Sequence, residues 1–280
     1  MDNAGGAELA SAELASAELA SAELAAAAAP PDVVVLQSTA IVDHICSVSA
    51  ERLAELVGGE VGGSRRVDLQ ELTATLCRLG EFTSKAGGSA ANTARGLASG
   101  FGVRAALVAA RGADEWGALF AGSMRRAGVD TQHLVVQPGA TGRSLILTSS
   151  GGRTMRTCMA ADVYVRPDSI TPAHFEGARW AVLSGYSFYR GDQLERAAAA
   201  ARAAGARVSL DLASFEIVAA FRPRILALLD AGVLDIIFGN EEEASALADS
   251  GVGGVGGGGG VGVGGRPARL SPAASRKSRS

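Results

Sequence analysis

Short apolar runs alternate with stretches of helix-forming residues between residues 33 and 247 of this chain. The runs fall at residues 33–36, 105–109, 180–183, 208–210 and 234–238, and the helical stretches at 67–79, 92–99, 115–127, 192–204, 215–221, 224–229 and 240–247. Apolar runs of this length are typical of strands buried on both faces. Their alternation with helices predicts a parallel sheet covered by helices. Right-handed crossovers then place the loops that follow the strands along one edge, where such folds bind ligands.

A glycine pair, Gly87-Gly88, stands at the start of one of these helical stretches and is followed by three small residues and Asn92. Glycine lets the backbone pass close to a ligand, and the first N–H groups of a helix are free to bind polar or anionic atoms. The segment therefore predicts a small-molecule site at a loop-to-helix junction. A turn that uses its glycines only for its own geometry is the alternative. The spacing is not that of a dinucleotide fingerprint.

The overall charge and composition argue against several classes of partner. The 280 residues carry a formal net charge of −3 and no sustained basic stripe, which argues against a nucleic-acid partner. No apolar run approaches the roughly 20 residues of a membrane-spanning helix. Three widely spaced cysteines predict buried, reduced thiols and hence a cytoplasmic protein. The acidic N-terminus disfavours a transit peptide but leaves a plastid location open.

Both ends of the chain differ in composition from the middle. Residues 6–25 repeat a leucine every five positions, a step that turns each leucine by about 140° on a helix and leaves no apolar face. Residues after Ser250 are mostly glycine and valine, then a basic Ser/Pro/Arg tail. Such segments bury too little to order themselves. We therefore expect a low-complexity leader at 1–31, which is disordered or a solvated helix, a folded domain at 32–249 and a disordered tail at 250–280.

Five short motifs, taken in chain order, resemble those of the PfkB (ribokinase-like) carbohydrate and nucleoside kinases. The motifs are Asp43 behind the first strand, Gly-Gly-x-x-x-Asn at 87–92, Gly112-x-Asp114-x-x-Gly117, Gly152-x-Thr154 and Asn240-x-x-Glu243. The resemblance covers residues 33–248 and is strongest to the adenosine-kinase-like branch. It implies an α/β fold, a three-layer αβα sandwich with a mainly parallel sheet. It also implies a small β lid from segments near 41–48, 81–86 and 144–159.

The resemblance assigns the substrate to four residues: Asp43, Gly87, Gly88 and Asn92. A carboxylate can hold two neighbouring hydroxyls, bare glycine backbone admits a sugar ring, and an amide both donates and accepts. The substrate is then a small sugar or nucleoside. Asp43 as a turn cap and Asn92 as a helix cap remain the alternatives at these positions. The Gly112–Gly117 motif is interpreted as a fixed turn before a helix.

The same resemblance assigns ATP and Mg²⁺ to Asn240 and Glu243, with Glu243 next to the metal. Magnesium keeps several waters and needs few protein ligands, so one carboxylate and one amide suffice. The alternative is an acidic helix start favoured by the helix dipole.

No catalytic residue is assigned, because the family's Asp-Thr-x-Gly-Ala-Gly-Asp motif is absent and no aspartate follows Asp249. The resemblance thus implies a phosphotransferase whose activity is impaired by a missing C-terminal part. The alternative is an inactive sugar- or nucleoside-binding module. A homodimer that forms through the lid is a further expectation.

Overall fold

Six parallel strands form the main sheet of the computed structural model, which describes residues 29–159 and 161–248. They are β1 (Val33–Thr39), β5 (Ala105–Gly112), β6 (Leu134–Gln137), β9 (Trp180–Ser184), β10 (Arg207–Asp211) and β11 (Ile236–Phe238). Their order across the sheet is β11-β10-β9-β1-β5-β6, and each neighbouring pair is parallel. The chain leaves β1 on one side and later returns on its other side with β9. This reversal puts the ligand crevice of such a sheet at the carboxyl ends of β1 and β9.

Helices cover both faces of this sheet. The α-helices of the described residues are α1 (Ala50–Val57), α2 (Leu69–Leu79), α3 (Ser89–Arg95), α4 (Glu115–Arg126), α5 (Gln193–Ala203), α6 (Phe215–Asp230) and α7 (Glu241–Ala248). Successive residues of β1 point to opposite faces, as in any strand. Val34 packs in the core formed with α5 and α6, whereas Val35 packs in the core formed with α3 and α4. The predicted three-layer αβα sandwich is confirmed.

A second, five-stranded sheet forms the predicted lid. Its strands are β2 (Ile41–Ser47), β3 (Ser64–Arg66), β4 (Thr83–Gly87), β7 (Gly142–Ser149) and β8 (Gly152–Cys158), in the order β3-β8-β7-β2-β4. Leu145 and Leu147 of β7 pack against α1 and α2 on one face. Only Ala40 separates β1 of the main sheet from β2 of the lid.

Several elements differ from the sequence-based expectation. Helix α1 and strands β3 and β6 were not predicted. Helix α3 begins at Ser89, before Asn92, and continues as a π-helical turn at Gly96–Gly100. Helix α6 runs unbroken through Pro223, where two shorter helices were expected. The expectation of three buried thiols is wrong, because Cys77 is exposed and the other two cysteines are only partly buried.

The expected leader and tail lie almost wholly outside the described residues, so these domain boundaries stay predictions. Within residues 29–159 and 161–248, no helix is long and apolar enough to span a membrane.

Candidate substrate and nucleotide site

Asp43 lies in the middle of β2, and its carboxylate packs against the backbone of Gly87. Strand β2 pairs antiparallel with β4, which sets Ile41 opposite Gly87 and Asp43 opposite Lys85. A β-carbon added at Gly87 would lie 2.1 Å from Oδ2 of Asp43. A larger residue here would force the carboxylate to move, and the structure brings Asp43 and Gly87 together.

Gln37, which sequence reasoning did not single out, ties the end of β1 to this turn. Its Oε1 accepts a hydrogen bond of 2.8 Å from the backbone N–H of Ala91, and its Nε2 donates to the carbonyl of Gly87 at 3.3 Å. Gly88 has a φ of +93°, and a β-carbon there would lie 2.3 Å from Oε1 of Gln37. The side-chain amide of Gln37 thus accepts a hydrogen bond from one of the N–H groups at the start of α3 that have no partner within the helix.

Asn92 lies inside helix α3, and the N-cap of that helix is Gly88. The interpretation of Asn92 as a helix cap is therefore wrong. Its side chain is exposed, and its Oδ1 accepts a hydrogen bond from the guanidinium of Arg95. Arg95 also donates to the carbonyl of Ala86 at 3.2 Å. Arg95 therefore connects Asn92 to the strand that carries Gly87.

The electrostatics of Asp43 involve the same arginine. Burial raises the pKa of Asp43, whereas the positive charges of Arg95 and Arg153 lower it, and the net shift is upward. A half-buried carboxylate of this kind is stabilised by hydroxyl donors from a ligand, since they replace the water it has lost.

His44, the neighbour of Asp43 on β2, points to the other face of the lid. Its ring is fully buried between Phe82 and Trp116, and its Nδ1 lies 2.8 Å from the hydroxyl of Ser84. Burial lowers the pKa of His44 to about 4, and the charge of Arg143 adds to this shift. The ring is therefore a neutral part of the lid's core at physiological pH.

Asp114 joins the start of α4 to the start of β7. Its Oδ1 accepts from the N–H of Gly117 at 2.8 Å and from the hydroxyl of Thr141 at 2.5 Å, and its Oδ2 accepts from the N–H of Thr141 at 2.8 Å. Burial alone raises the pKa of Asp114, but these hydrogen bonds outweigh it, so the pKa is lowered. The geometry agrees with a fixed turn at this motif.

Asn240 and Glu243 bind each other at the start of α7. The backbone N–H of Asn240 donates to one carboxylate oxygen of Glu243 at 3.0 Å, and the side-chain amide donates to the other at 3.1 Å. In return, the N–H of Glu243 donates to Oδ1 of Asn240 at 2.9 Å. This reciprocal arrangement is that of a capping box. The helix-start interpretation thus describes the geometry found, and the role in binding magnesium and nucleotide stays a prediction.

Asp211, at the carboxyl end of β10, is a second carboxylate in this region that sequence reasoning missed. Burial raises the pKa of Asp211, a bond from the N–H of Ala213 lowers it, and the negative charge of Glu243 raises it further. The signal for Asp211 was present, because it is the polar residue that directly follows a buried strand at the ligand-binding edge. Within the described part of the chain, no cluster of three or more His, Cys, Asp or Glu side chains is placed to hold a metal ion.

A mainly parallel sheet between two helix layers, joined to a small mixed β sheet, is the architecture of the ribokinase-like class of fold. The profile of the pfkB family carbohydrate kinases matches residues 62–251, and the chain belongs to that family.

Two solved structures and one curated protein are similar to this chain. The adenosine kinase of Sinorhizobium meliloti has a TM-score of 0.69 and 29% identity, covering 80% of this chain and 69% of its own. A probable sugar kinase of Rhizobium etli CFN 42 also has a TM-score of 0.69, with 28% identity, covering 80% and 68%. The 5-dehydro-2-deoxygluconokinase of Shouchella clausii is 29% identical over 183 residues. That alignment takes in 62% of this chain and spans 56% of the relative.

Proposed function

We propose that this protein is a small-molecule kinase that transfers the γ-phosphoryl group of ATP to a hydroxyl of a sugar or nucleoside. The observation that carries the proposal is the carboxylate of Asp43 against Gly87, beside the start of the helix that carries Asn92. The names of the relatives, which are sugar and adenosine kinases, support the same class of substrate.

Each of the four proposed substrate residues has a distinct task. Asp43 accepts hydrogen bonds from two neighbouring hydroxyls, and such charge-assisted bonds are the stronger kind. Gly87 and Gly88 leave the backbone bare, so that a sugar ring can approach it. The exposed amide of Asn92, held by Arg95, binds a further hydroxyl.

Glu243 and Asp211 suit a magnesium ion. Both are carboxylates, and the charge of Glu243 raises the pKa of Asp211, which indicates that the two repel each other. A hard cation relieves that repulsion, and Mg²⁺ prefers oxygen ligands. Glu243 would hold the metal, with Asn240 fixing the orientation of its carboxylate. When bound, Mg²⁺·ATP supplies the phosphoryl group and neutralises charge on its oxygens.

A second candidate function is binding without turnover, and one sequence observation favours it. The family's Asp-Thr-x-Gly-Ala-Gly-Asp motif, which supplies the base and the anion hole, does not occur in these 280 residues. A positioned base contributes about 10²–10⁴ in rate. Losing an anion-hole donor costs a comparable factor. We therefore propose that phosphoryl transfer by this chain is slow.

Calorimetric titration with adenosine, ribose and fructose, each with and without Mg²⁺·ATP, tests the proposal. Binding together with ADP release supports the kinase, and binding without ADP release supports the binding module. Asp43→Asn should weaken binding of the bound compound about tenfold or more, because a charge-assisted contact is lost. Asp32→Asn is the matched control, since the side chain of Asp32 forms a surface ion pair with Arg104 at 3.0 Å and lies away from the proposed site. Equal binding by the Asp43 variant and wild type would contradict both functions.

A further inference from the structure

Two histidines that lie 41 positions apart in the chain meet beside the main sheet. His133 directly precedes β6, and His174 belongs to the 3₁₀ turn Pro172–Phe175, which precedes β9. Their ring centres lie 4.8 Å apart, with an angle of 46° between the ring planes. We call these two residues the histidine pair. Strands β6 and β11 stand at opposite ends of the strand order, so the pair is separate from Asn240 and Glu243, which follow β11.

The backbone at each histidine is anchored in the fold. The carbonyl of His133 accepts a hydrogen bond of 3.3 Å from the N–H of Ala109 in β5. The N–H of His174 donates to the carbonyl of Thr171 at 3.1 Å, and the next residue, Phe175, is fully buried in the core formed with α5 and α6. The fold therefore brings the two rings together before any ligand binds, which lowers the cost of ordering them around one.

The distance between the rings suits one metal ion bound by both. A metal about 2.1 Å from a nitrogen of each imidazole lies about 3.2 Å from each ring centre. An angle of about 90–110° at the metal then sets the ring centres about 4.5–5.2 Å apart. The observed 4.8 Å falls within this range.

His174 has a partner for the proton that metal binding requires on its other nitrogen. Its Nδ1 lies 3.3 Å from the carbonyl of Thr171. When Nδ1 carries the proton, it donates to this carbonyl, and Nε2 keeps its lone pair for a metal. In the other tautomer, Nδ1 accepts from the N–H of Thr171 at 3.2 Å. A metal at Nε2 would select the first tautomer.

The ring of His133 is available as the second ligand. Among residues 29–159 and 161–248, its nitrogens take part in no hydrogen bond. Both rings of the pair are only partly buried, so an ion can reach them from solvent. Burial and the charge of His174 lower the pKa of His133, whereas the negative charge of Asp130 opposes that shift. Neutral imidazole is the form that binds metals, and the Asp130 carboxylate attracts a cation to this place.

We propose that His133 and His174 form a site for a divalent transition metal such as Zn²⁺ or Ni²⁺, with water in the remaining coordination positions. Imidazole nitrogen suits these ions, whereas Mg²⁺ prefers oxygen ligands. The bound ion links the loop before β6 to the turn before β9 and thereby stabilises the folded chain. This inference does not rest on the proposed function, because neither histidine takes part in it.

Calorimetric titration of the full chain with NiCl₂, ZnCl₂ and MgCl₂ tests the site. We expect Ni²⁺ and Zn²⁺ to bind at least about tenfold more tightly than Mg²⁺. His133→Asn and His174→Asn should each weaken Ni²⁺ binding about tenfold or more, because the second imidazole of a chelate binds at a high effective concentration. Ni²⁺ at ten times its Kd should raise the Tm of the wild type by about 2–5 °C and that of either variant by less.

Cys77→Ser is the matched control, since Cys77 is an exposed thiol and thiols also bind these metals. It should leave Ni²⁺ affinity unchanged. The remaining histidine, His44, is fully buried and is present in every variant. Thermal melting without metal separates loss of the site from loss of the fold, and His174→Gln is a second variant at that position.

Three results would overturn the metal site. One is wild-type Ni²⁺ affinity in both histidine variants, which would leave the pair as a packing contact only. Another is two bound ions per chain, with each histidine variant losing one and keeping the affinity of the other, which would show two independent histidines. The third is Mg²⁺ affinity equal to that of Ni²⁺, which would indicate binding by carboxylates.

Discussion

The contact between Gly87 and Asp43 explains at the level of a single residue why a glycine occupies this position. The β-carbon of any other residue would overlap the carboxylate of Asp43 in its present position, so the carboxylate would have to move. The sequence alone suggested close approach to a ligand, whereas the structure adds a close approach to the residue that is proposed to bind it. The absence of a side chain at Gly87 therefore makes room both for the proposed ligand and for the carboxylate of Asp43.

Gly87→Ala should therefore impair binding more than folding. We expect a loss of sugar or nucleoside affinity of about tenfold or more, because the carboxylate must move, and a stability cost of roughly 1–3 kcal/mol from overpacking. Calorimetric titration and urea unfolding measure the two effects. Gly96→Ala is the control, since nothing lies within 4 Å of an added β-carbon there. It should bind as wild type and gain up to about 1 kcal/mol of stability. Unchanged binding by Gly87→Ala would refute the predicted displacement.

His44 makes a pH-dependent contribution to stability. Its pKa of about 4 lies below the ordinary 6.5, so the unfolded chain binds a proton more readily than the folded one. Stability contributed by neutral His44 is present above pH 6.5 and is lost as the pH falls toward 4, by roughly 3 kcal/mol at most. His44→Phe should reduce the loss of unfolding free energy between pH 7 and pH 4.5, measured with urea. An identical pH dependence in the variant would show that other groups cause it.

A helix or strand could be predicted from the sequence where the residues that determine it lie close together in the chain. Helix α1 had a readable pattern: Ser49 caps its first turn, Leu53 and Leu56 share a buried face, and Gly58 ends it in the left-handed conformation. Strand β3, by contrast, is a fully exposed Ser-Arg-Arg segment whose pairing with β8 no local pattern indicates. The same holds for the site, because Gln37 reaches Ala91 across 54 positions.

Two helices were expected at residues 215–221 and 224–229, and the structure has one helix, α6, that runs through Pro223 between them. Proline removes one hydrogen bond and clashes with the preceding turn. The helix nevertheless continues, because Ile217 and Val218 before the proline and Ile225 and Leu228 after it pack in one core. Tertiary packing thus outweighs the local penalty here.

Asp114 tests how much one side chain contributes to the connection between two elements. Asp114→Ala should lower the free energy of unfolding by about 3 kcal/mol, because several hydrogen bonds to a charged group, from α4 and from Thr141 at the start of β7, are lost together. Asp192→Ala is the control, since Asp192 makes no capping bond and pairs only with Arg196 on the surface. Such a surface pair contributes little to stability, because water screens the two charges. Equal losses in urea unfolding would contradict the connecting role of Asp114.

At the scale of the whole molecule, strand β11 is the outermost strand on one side of the main sheet in the part of the chain that the structure describes, and it carries exposed apolar side chains. Phe238 is 54% exposed, and Ile236 is 39% exposed. An exposed apolar edge strand is a template for pairing with another chain. The predicted homodimer through the lid would use a different sheet.

Ile236→Lys should therefore reduce concentration-dependent self-association without a loss of thermal stability. Sedimentation velocity over a range of protein concentrations measures the association. Phe101→Lys is the control, because Phe101 is 81% exposed but lies outside any strand. An equal reduction in both variants would point to general hydrophobicity, and association that survives Ile236→Lys would leave the lid as the interface.

The single residue between the two sheets also has a mechanical consequence. The N–H of Ala40 donates to the carbonyl of Ala110 in the main sheet at 2.7 Å, and its carbonyl accepts from Gly142 in the lid at 3.1 Å. A tilt of the lid would therefore bend the chain at Ala40, which acts as a pivot, while contacts such as that of Gln37 with Gly87 also adjust. With a lever arm of about 14 Å to β3, a rotation of about 10° would carry Arg66 some ~2.5 Å. A barely visible adjustment at the pivot thus becomes, at the far end, a movement nearly as long as a hydrogen bond.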